Sequence, residues 1–292
     1  MRKSSIYLPE ELKRRLAELA SRSGRSEADL IRQAIERLLG GPPEATQSDP
    51  GTCPHVAPAL VGVGVGPGDP QLITDRARAT LRAADRVVAI STDVRSIGRA
   101  EMVVRAVCPA ARIHRVGFDV AGDDREREAS LEAVVAAVLA GTDAGELVAL
   151  AVIGDPSQWT VFPDVAARVR PSRPDLTVSA EPGITSYQAV AAAAGVSLGG
   201  PGGAMTVLTT TTDLGQLLPD HGRGVVLYKV STDTEAVRAD AERLQRDGLV
   251  GELSGMPGQR LVPLTDTAAG PLAYLSTVVF PAAVPSASRR QG

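Results

Sequence analysis

The 292-residue chain is poor in the side chains that carry metal, disulfide or covalent chemistry. Its two cysteines, Cys53 and Cys108, cannot build a disulfide framework. Its three histidines, His55, His114 and His221, lie too far apart for a metal-ligand pattern, and Cys53-Pro54-His55 offers at most two ligands. There is no CxxC pair and no serine, histidine and aspartate arrangement, so the sequence presents no candidate for covalent or metal-assisted catalysis. No apolar run approaches the length that crosses a bilayer; stretches such as LVALAVI from Leu147 are strand-sized. The opening MRKSSIYLPEELKRR turns charged where a secretory signal needs its apolar middle, which predicts a cytoplasmic protein. With 43% hydrophobic and 22% charged residues, the composition is that of a globular chain long enough for two or three domains.

Charge is unevenly placed. Residues 1–40 hold nine Lys/Arg against six Asp/Glu, whereas the remaining chain holds 22 against 28. The first segment therefore carries a net positive charge suited to an acidic partner. KSSIYL at 3–8 reads as a short strand ended by Pro9. PEELKRRLAELASRSG reads as a helix with Leu12, Leu16, Leu19 and Ala20 on one face, stopped by Gly24. Ser26 caps a second helix whose apolar face is Leu30, Ile31, Ala34, Ile35 and Leu38, ended by Gly40. A strand and two short helices bury too little surface to fold alone, which predicts a homodimer with paired strands. Alternation along the strand turns Ile6 and Leu8 inward and Lys3, Ser5 and Tyr7 outward.

This order of elements, with its LPEEL and GRSEADLIRQAIERLL segments, resembles the ribbon-helix-helix family of DNA-binding regulators. The resemblance implies that Lys3, Ser5 and Tyr7 reach base edges in the major groove and that Arg25 and Ser26 meet phosphate. A module that only dimerises the chain is the competing reading. Residues 41–58, rich in Pro, Gly and small polar side chains, form a linker.

From Ala59 onward strand and helix patterns alternate, predicting a parallel α/β sheet whose ligands sit at the strands' carboxyl ends. The first strand breaks into ALVGVGVGPGDPQLIT, 59–74. Pro67 removes a donor and Asp69 repels phosphate, so the loop suits a ligand other than a dinucleotide. VGVGPGDPQLIT, LRAADRVV, IGDPSQWTVF and AEPGITSYQAVAAAAGVSL then resemble, in order, the motifs of the tetrapyrrole methylases. SIGRAEMVVRAVCPAARIHRVGF, GMPGQRLVPL and AYLSTVVF add likeness to members acting on carbon 20 of precorrin-2.

The resemblance covers about 59–282. It implies two α/β halves, 59–172 and 173–285, with an active-site cleft between them, a tail at 286–292, and a homodimer. It implies S-adenosylmethionine (SAM) as cofactor, held by Gly66, Pro67, Gly68 and Asp69, by Gly154, Asp155 and Pro156, and by Pro182, Gly183, Ile184, Thr185 and Ser186. Further contacts would come from Ala204, Met205, Lys229 and Val230. Because SAM's sulfonium is already activated, methyl transfer requires positioning more than acid or base chemistry. Asp69 and Asp155 are candidate catalytic bases, with turn-capping as the alternative for each. A tetrapyrrole acceptor bears many carboxylates, which makes Arg95, Arg99, Arg76 and Lys229 candidates to bind it. Trp159, the only tryptophan, stands where relatives commonly carry tyrosine and is a candidate for the acceptor pocket. Three functions follow: a SAM-dependent methyltransferase of the tetrapyrrole type fused to a DNA-binding module, a regulator that senses SAM or a corrinoid without turnover, or a methyltransferase for a peptide or other small molecule.

Overall fold

The computed structural model describes residues 9–23, 26–28, 30–31, 53–119, 122–200, 203–209, 211, 214–230, 234–267, 270, 272 and 275–282. The chain separates into two compact units, 1–49 and 50–292. In the first, helix α1 spans Glu10–Ser23, with Glu10 and Glu11 in the first turn where the helix dipole favours negative charge. Helical backbone also appears at 27–28 and 30–31. Lys3, Ser5, Tyr7 and Arg25 lie outside the described residues.

The second unit begins with a fully buried strand, β1 (Ala59–Gly64). It continues through α2 (Asp75–Ala83), β2 (Arg86–Ser91), α3 (Arg99–Val107), β3 (Ile113–Gly117), α4 (Asp124–Asp143), β4 (Leu147–Val152), α5 (Phe162–Ser172) and β5 (Thr177–Glu181). These five strands form one parallel sheet in the order β3-β2-β4-β1-β5. β1 and β4 are buried at every position, as expected of strands covered by helices on both faces. On one face Val61, Val63 and Ala149 pack with Leu81, Val103 and Val104; on the other Leu60, Val148 and Leu150 pack with Val134, Val138 and Val165. β5 therefore completes the first sheet, although the expected boundary at residue 172 assigns it to the second half.

Then follow α6 (Ser186–Ala194), β6 (Met205–Leu208), α7 (Leu214–Leu217), β7 (Gly224–Val230), α8 (Thr234–Arg243), β8 (Leu249–Glu252), β9 (Arg260–Pro263) and β10 (Ser276–Phe280). Their sheet runs β6-β7-β10-β8-β9, parallel only between β6 and β7. Val225, Leu227 and Phe280 pack beneath Leu214, Leu218 and Val237, whereas Val226, Tyr228 and Val279 face Tyr187 and Val190 of α6. Among the described residues no helix is long and apolar enough to cross a membrane.

Candidate functional site

The carboxyl ends of β4, β1 and β5 lie side by side, and each opens into a glycine turn. Gly66 has φ +78° and Gly154 φ +80°, left-handed values that glycine enters at little cost. The N–H of Gly154 donates to the carbonyl of Gly66 at 2.9 Å. A Cβ on Gly64 would fall 2.6 Å from the Gly154 carbonyl oxygen and 2.7 Å from the Gly183 nitrogen. One on Gly183 would fall 2.0 Å from that same oxygen. Gly64, Gly154 and Gly183 thus meet backbone to backbone, with no room for a Cβ on Gly64 or Gly183. Gly66, Pro67, Gly68 and Pro156 are buried, whereas Ile184 is half-buried.

Asp155 holds these turns together. One carboxylate oxygen accepts from the N–H of Gly183 at 3.0 Å. The other accepts from the N–H of Ser157 at 2.8 Å and from the Ser157 hydroxyl. Asp69 caps the short turn that follows it, accepting from the N–H of Gln71 at 2.8 Å. Of the two readings open for these aspartates, the geometry carries turn-capping. Thr185 caps α6 and forms a reciprocal capping box with Gln188, setting the direction in which the third turn leaves the site. The Ser186 hydroxyl lies 2.8 Å from that of Thr277 on β10.

The second half reaches the first through the turn between β8 and β9. A Cβ on Gly68 (φ +145°) would stand 2.5 Å from Met256 Cγ and 3.2 Å from the Ser254 carbonyl oxygen. One on Gly255 would stand 2.6 Å from the Asp69 nitrogen. Gly255 and Met256 were not among the expected site residues. Their signal is the GMPG turn, whose partner across the chain no local pattern reveals. Ala204 and Met205 are exposed at the start of β6. Lys229 and Val230 end β7, with side chains outside the described set.

Trp159 follows the β4 turn with φ +48° and is 47% exposed. Its ring centre lies 5.6 Å from that of Tyr228. Tyr228 also meets Tyr187 edge-on at 5.8 Å. Burial first, then the neighbouring Tyr187 and Asp155, push the Tyr228 phenol up to about 12, against a hydrogen bond with Ser186 that lowers it.

The expected arginines are not brought to one place. Arg95, in the loop after β2, lies beside a groove of about 660 Å³ with Asp93, Val94, Phe118, Asp119 and Ser130, at the ends of β2 and β3. Its backbone N–H and Nε both donate to Asp93. Arg99 opens α3 nearby. Arg76 lies toward the opposite edge of the sheet, where its guanidinium pairs with Glu181 of β5 at 3.2 Å. Strand order, which the sequence does not display, separates them.

Buried Glu181 also takes His55 Nε2 at 2.7 Å, while His55 Nδ1 lies 3.3 Å from the Ser179 hydroxyl. The fold therefore does align a serine, a histidine and a carboxylate, contrary to the sequence reading. With Arg76 already on Glu181, the set serves to strap residues 53–58 onto the edge strand. Buried Glu101 of α3 pairs with Arg105 and Arg115, and Arg115 also donates to the Val94 carbonyl at 2.9 Å, fixing the groove's loop. Hydrogen bonding from Arg115 in particular holds the Glu101 carboxyl below its usual range, against the opposing effect of burial.

A cradle of largely buried backbone, glycines at Gly64, Gly66 and Gly183 where a Cβ would strike main chain, and carboxylates that cap the turns fit a cofactor gripped by main chain, as SAM would be.

Known proteins match this architecture. Residues 59–268 match the family of tetrapyrrole (corrin/porphyrin) methylases, and residues 5–40 match ribbon-helix-helix proteins of the copG family. The cobalamin biosynthesis protein CobIJ of Mycobacterium bovis is 30% identical over 243 residues, covering 76% of this chain and 46% of its own length. The chain thus spans about half the length of that relative. The cobalt-precorrin-2 C(20)-methyltransferase of Salmonella typhimurium is 28% identical, covering 75% of this chain and 94% of its own. Among solved structures, the cobalt precorrin-4 methyltransferase CbiF superposes with a TM-score of 0.59 at 23% identity, covering 76% of this chain and 94% of CbiF. A uroporphyrin-III C-methyltransferase from Thermus thermophilus, complexed with S-adenosylhomocysteine, gives 0.54 at 20%, covering 76% of this chain and 92% of its own. The family match spans well over half of the sequence, with three glycine turns where the fold gathers its strand ends, and the chain belongs to the tetrapyrrole methylases, a family that uses SAM as its methyl donor.

Proposed function

We propose that this protein is a SAM-dependent methyltransferase acting on a tetrapyrrole of the precorrin type, working as a homodimer. The observation that carries the reading is the meeting of three glycine turns, at Gly66–Asp69, Gly154–Pro156 and Pro182–Ser186, on adjacent strand ends, where a Cβ on Gly64, Gly66 or Gly183 would strike backbone. When bound, the cofactor supplies a methyl group on a sulfonium, activated without help from the protein. Gly66, Pro67, Gly68, Gly154, Pro156, Gly183, Ile184 and Thr185 would hold it through backbone groups, with Ala204, Met205, Lys229 and Val230 closing from the second half. Asp69 and Asp155 act in this scheme as positioning residues, because both oxygens of Asp155 and Oδ1 of Asp69 accept from backbone amides. Placing a nucleophilic ring carbon in line with the methyl supplies the acceleration.

The acceptor is assigned to the cleft beside these turns. The groove at the ends of β2 and β3 would receive part of it, with Arg95 at the rim and Arg99 nearby to meet carboxylates. The size and place of the groove support this assignment.

The match of residues 5–40 to ribbon-helix-helix proteins supports a dimerising, DNA-binding module, with Lys3, Ser5 and Tyr7 toward bases and Arg25 and Ser26 toward phosphate. Incubating the purified protein with SAM and precorrin-2, with mass spectrometry of the products, tests the enzyme reading. A product in which one methyl group has replaced a ring hydrogen is the expected result. SAM binding with no turnover on any tetrapyrrole would replace it with the sensor reading.

A further inference from the structure

Three of the chain's eight aromatic residues converge behind the β4 turn, in a sequence with only 3% aromatics. Tyr228 is buried and held from two sides, by Tyr187 edge-on and by Trp159 at a tilt of 53°. Tyr187 is held in turn, its hydroxyl donating to Gln158 Oε1 at 2.8 Å. The Tyr228 hydroxyl reaches the glycine turn itself, lying 3.2 Å from where a Gly154 Cβ would stand. Tyr228 stays neutral throughout the working pH range, because burial raises its phenol to about 12.

Trp159 differs from the two tyrosines. A bulky residue at φ +48° is strained, and such strain persists only where surrounding structure imposes it. An indole serving only as core would be hidden, yet this one is 47% exposed. It is braced by Tyr228, next to the turn whose Asp155 carboxylate is immobilised on Gly183 and Ser157. The place therefore combines a supported π-face with a fixed negative charge, a combination that attracts a small cation.

We propose that Trp159, backed by Tyr228 and neighboured by Asp155, is a cation–π seat for the sulfonium of SAM. This rests on the cofactor reading above and assigns Trp159 to the methyl donor rather than to the acceptor. An aromatic face draws a cation within about 6 Å of its centre, and a sulfonium bears a full positive charge. S-adenosylhomocysteine, its thioether counterpart, is neutral. Trp159 therefore holds the charged donor and gives no such hold to the spent cofactor, which favours exchange of one for the other after each transfer.

The test is calorimetry on the full chain with SAM and with S-adenosylhomocysteine, for wild type, Trp159→Leu and Trp159→Phe. Trp159→Leu is expected to raise the ratio of the SAM to the S-adenosylhomocysteine dissociation constant by about threefold to thirtyfold. Trp159→Phe keeps a ring and is expected to leave the ratio near the wild-type value. Equal weakening of both ligands by Trp159→Leu overturns the proposal, because the indole then only packs. An unchanged ratio with weaker acceptor binding also overturns it and returns Trp159 to the acceptor. Wild-type protein that binds neither ligand removes the cofactor reading itself, and the proposal with it.

Discussion

The carboxylate of Asp155 and the backbone N–H of Gly183 meet at 3.0 Å, tying the turn after β4 to the turn after β5 across the intervening β1. The tie makes one rigid platform of turns that are distant in sequence. It also accounts for an acidic residue among backbone amides: its oxygens accept from the N–H groups of Gly183 and Ser157, which fixes the negative charge in place.

Asp155→Ala should therefore weaken SAM binding about tenfold, the worth of a charge-assisted hydrogen bond to a partly buried amide. If Asp155 is a positioning residue, the pH profile of kcat in the surviving activity keeps its shape. Loss of an acidic limb from that profile would make Asp155 a base.

Gly183→Ala places a methyl 2.0 Å from the Gly154 carbonyl oxygen, a backbone atom that cannot swing aside. SAM affinity should fall by more than an order of magnitude, and thermal unfolding should come several degrees earlier. Gly145→Ala is the control: it also has positive φ, but nothing lies within 4 Å of its added Cβ. It should cost about 1 kcal/mol of stability and leave SAM affinity unchanged. Calorimetry on both variants separates the site from general backbone strain.

Glu101 sets a pH dependence. Its folded carboxyl lies below the ordinary 4.5 through hydrogen bonds from Arg115 and Arg105. A carboxyl lowered by folding stabilises the protein fully above the unfolded value, and this contribution is lost as pH falls through the folded value. The stability difference between wild type and Glu101→Gln should be constant from pH 7 to about 5 and shrink in more acidic solution. Glu101→Ala, which removes the carboxylate that orients Arg115 beneath the Val94 loop, should destabilise the protein at pH 7 more than Glu101→Gln does. Denaturant titration across pH reads both.

The N-terminal module yields a prediction that leaves the methylase untouched. Replacing Lys3 and Tyr7 with alanine should abolish preference for a palindromic DNA site while the dimer persists. Wild-type affinity should fall steeply with added salt, as expected when lysine and arginine displace phosphate counterions. Deleting residues 1–49, the first compact unit, should leave SAM affinity unchanged. Gel shifts and calorimetry measure these outcomes. No preferred DNA at low salt, with loss of the dimer on deletion, would reduce the module to a dimerisation device.

Much of the cofactor platform was legible because turn chemistry is local. GVGPGD, IGDPSQ and EPGITS each combine glycine, proline and a capping residue at spacings that end a strand and start the next element, and Thr185 with Gln188 forms a capping box readable from four residues. Asp155 was legible as a polar residue in a turn, but not as the acceptor for Gly183, 28 positions away. Likewise Trp159 stood out as the single tryptophan, while its seat against Tyr228 depends on a strand of the other sheet.

By itself the sequence determined the alternation of strands and helices, the glycine turns and the +3 balance of the first forty residues, since each depends on near neighbours and backbone preference. Tertiary structure alone decided the strand order β3-β2-β4-β1-β5. It thereby placed Arg76 against Glu181, away from Arg95, and added β5 to the first sheet. It also set Met256 against Gly68 and aligned His55 with Ser179 and Glu181. The physical reason is range: a turn is fixed by torsion angles and hydrogen bonds within a few residues, whereas strand neighbours and side-chain partners are selected by burying apolar faces of segments a hundred or more residues apart.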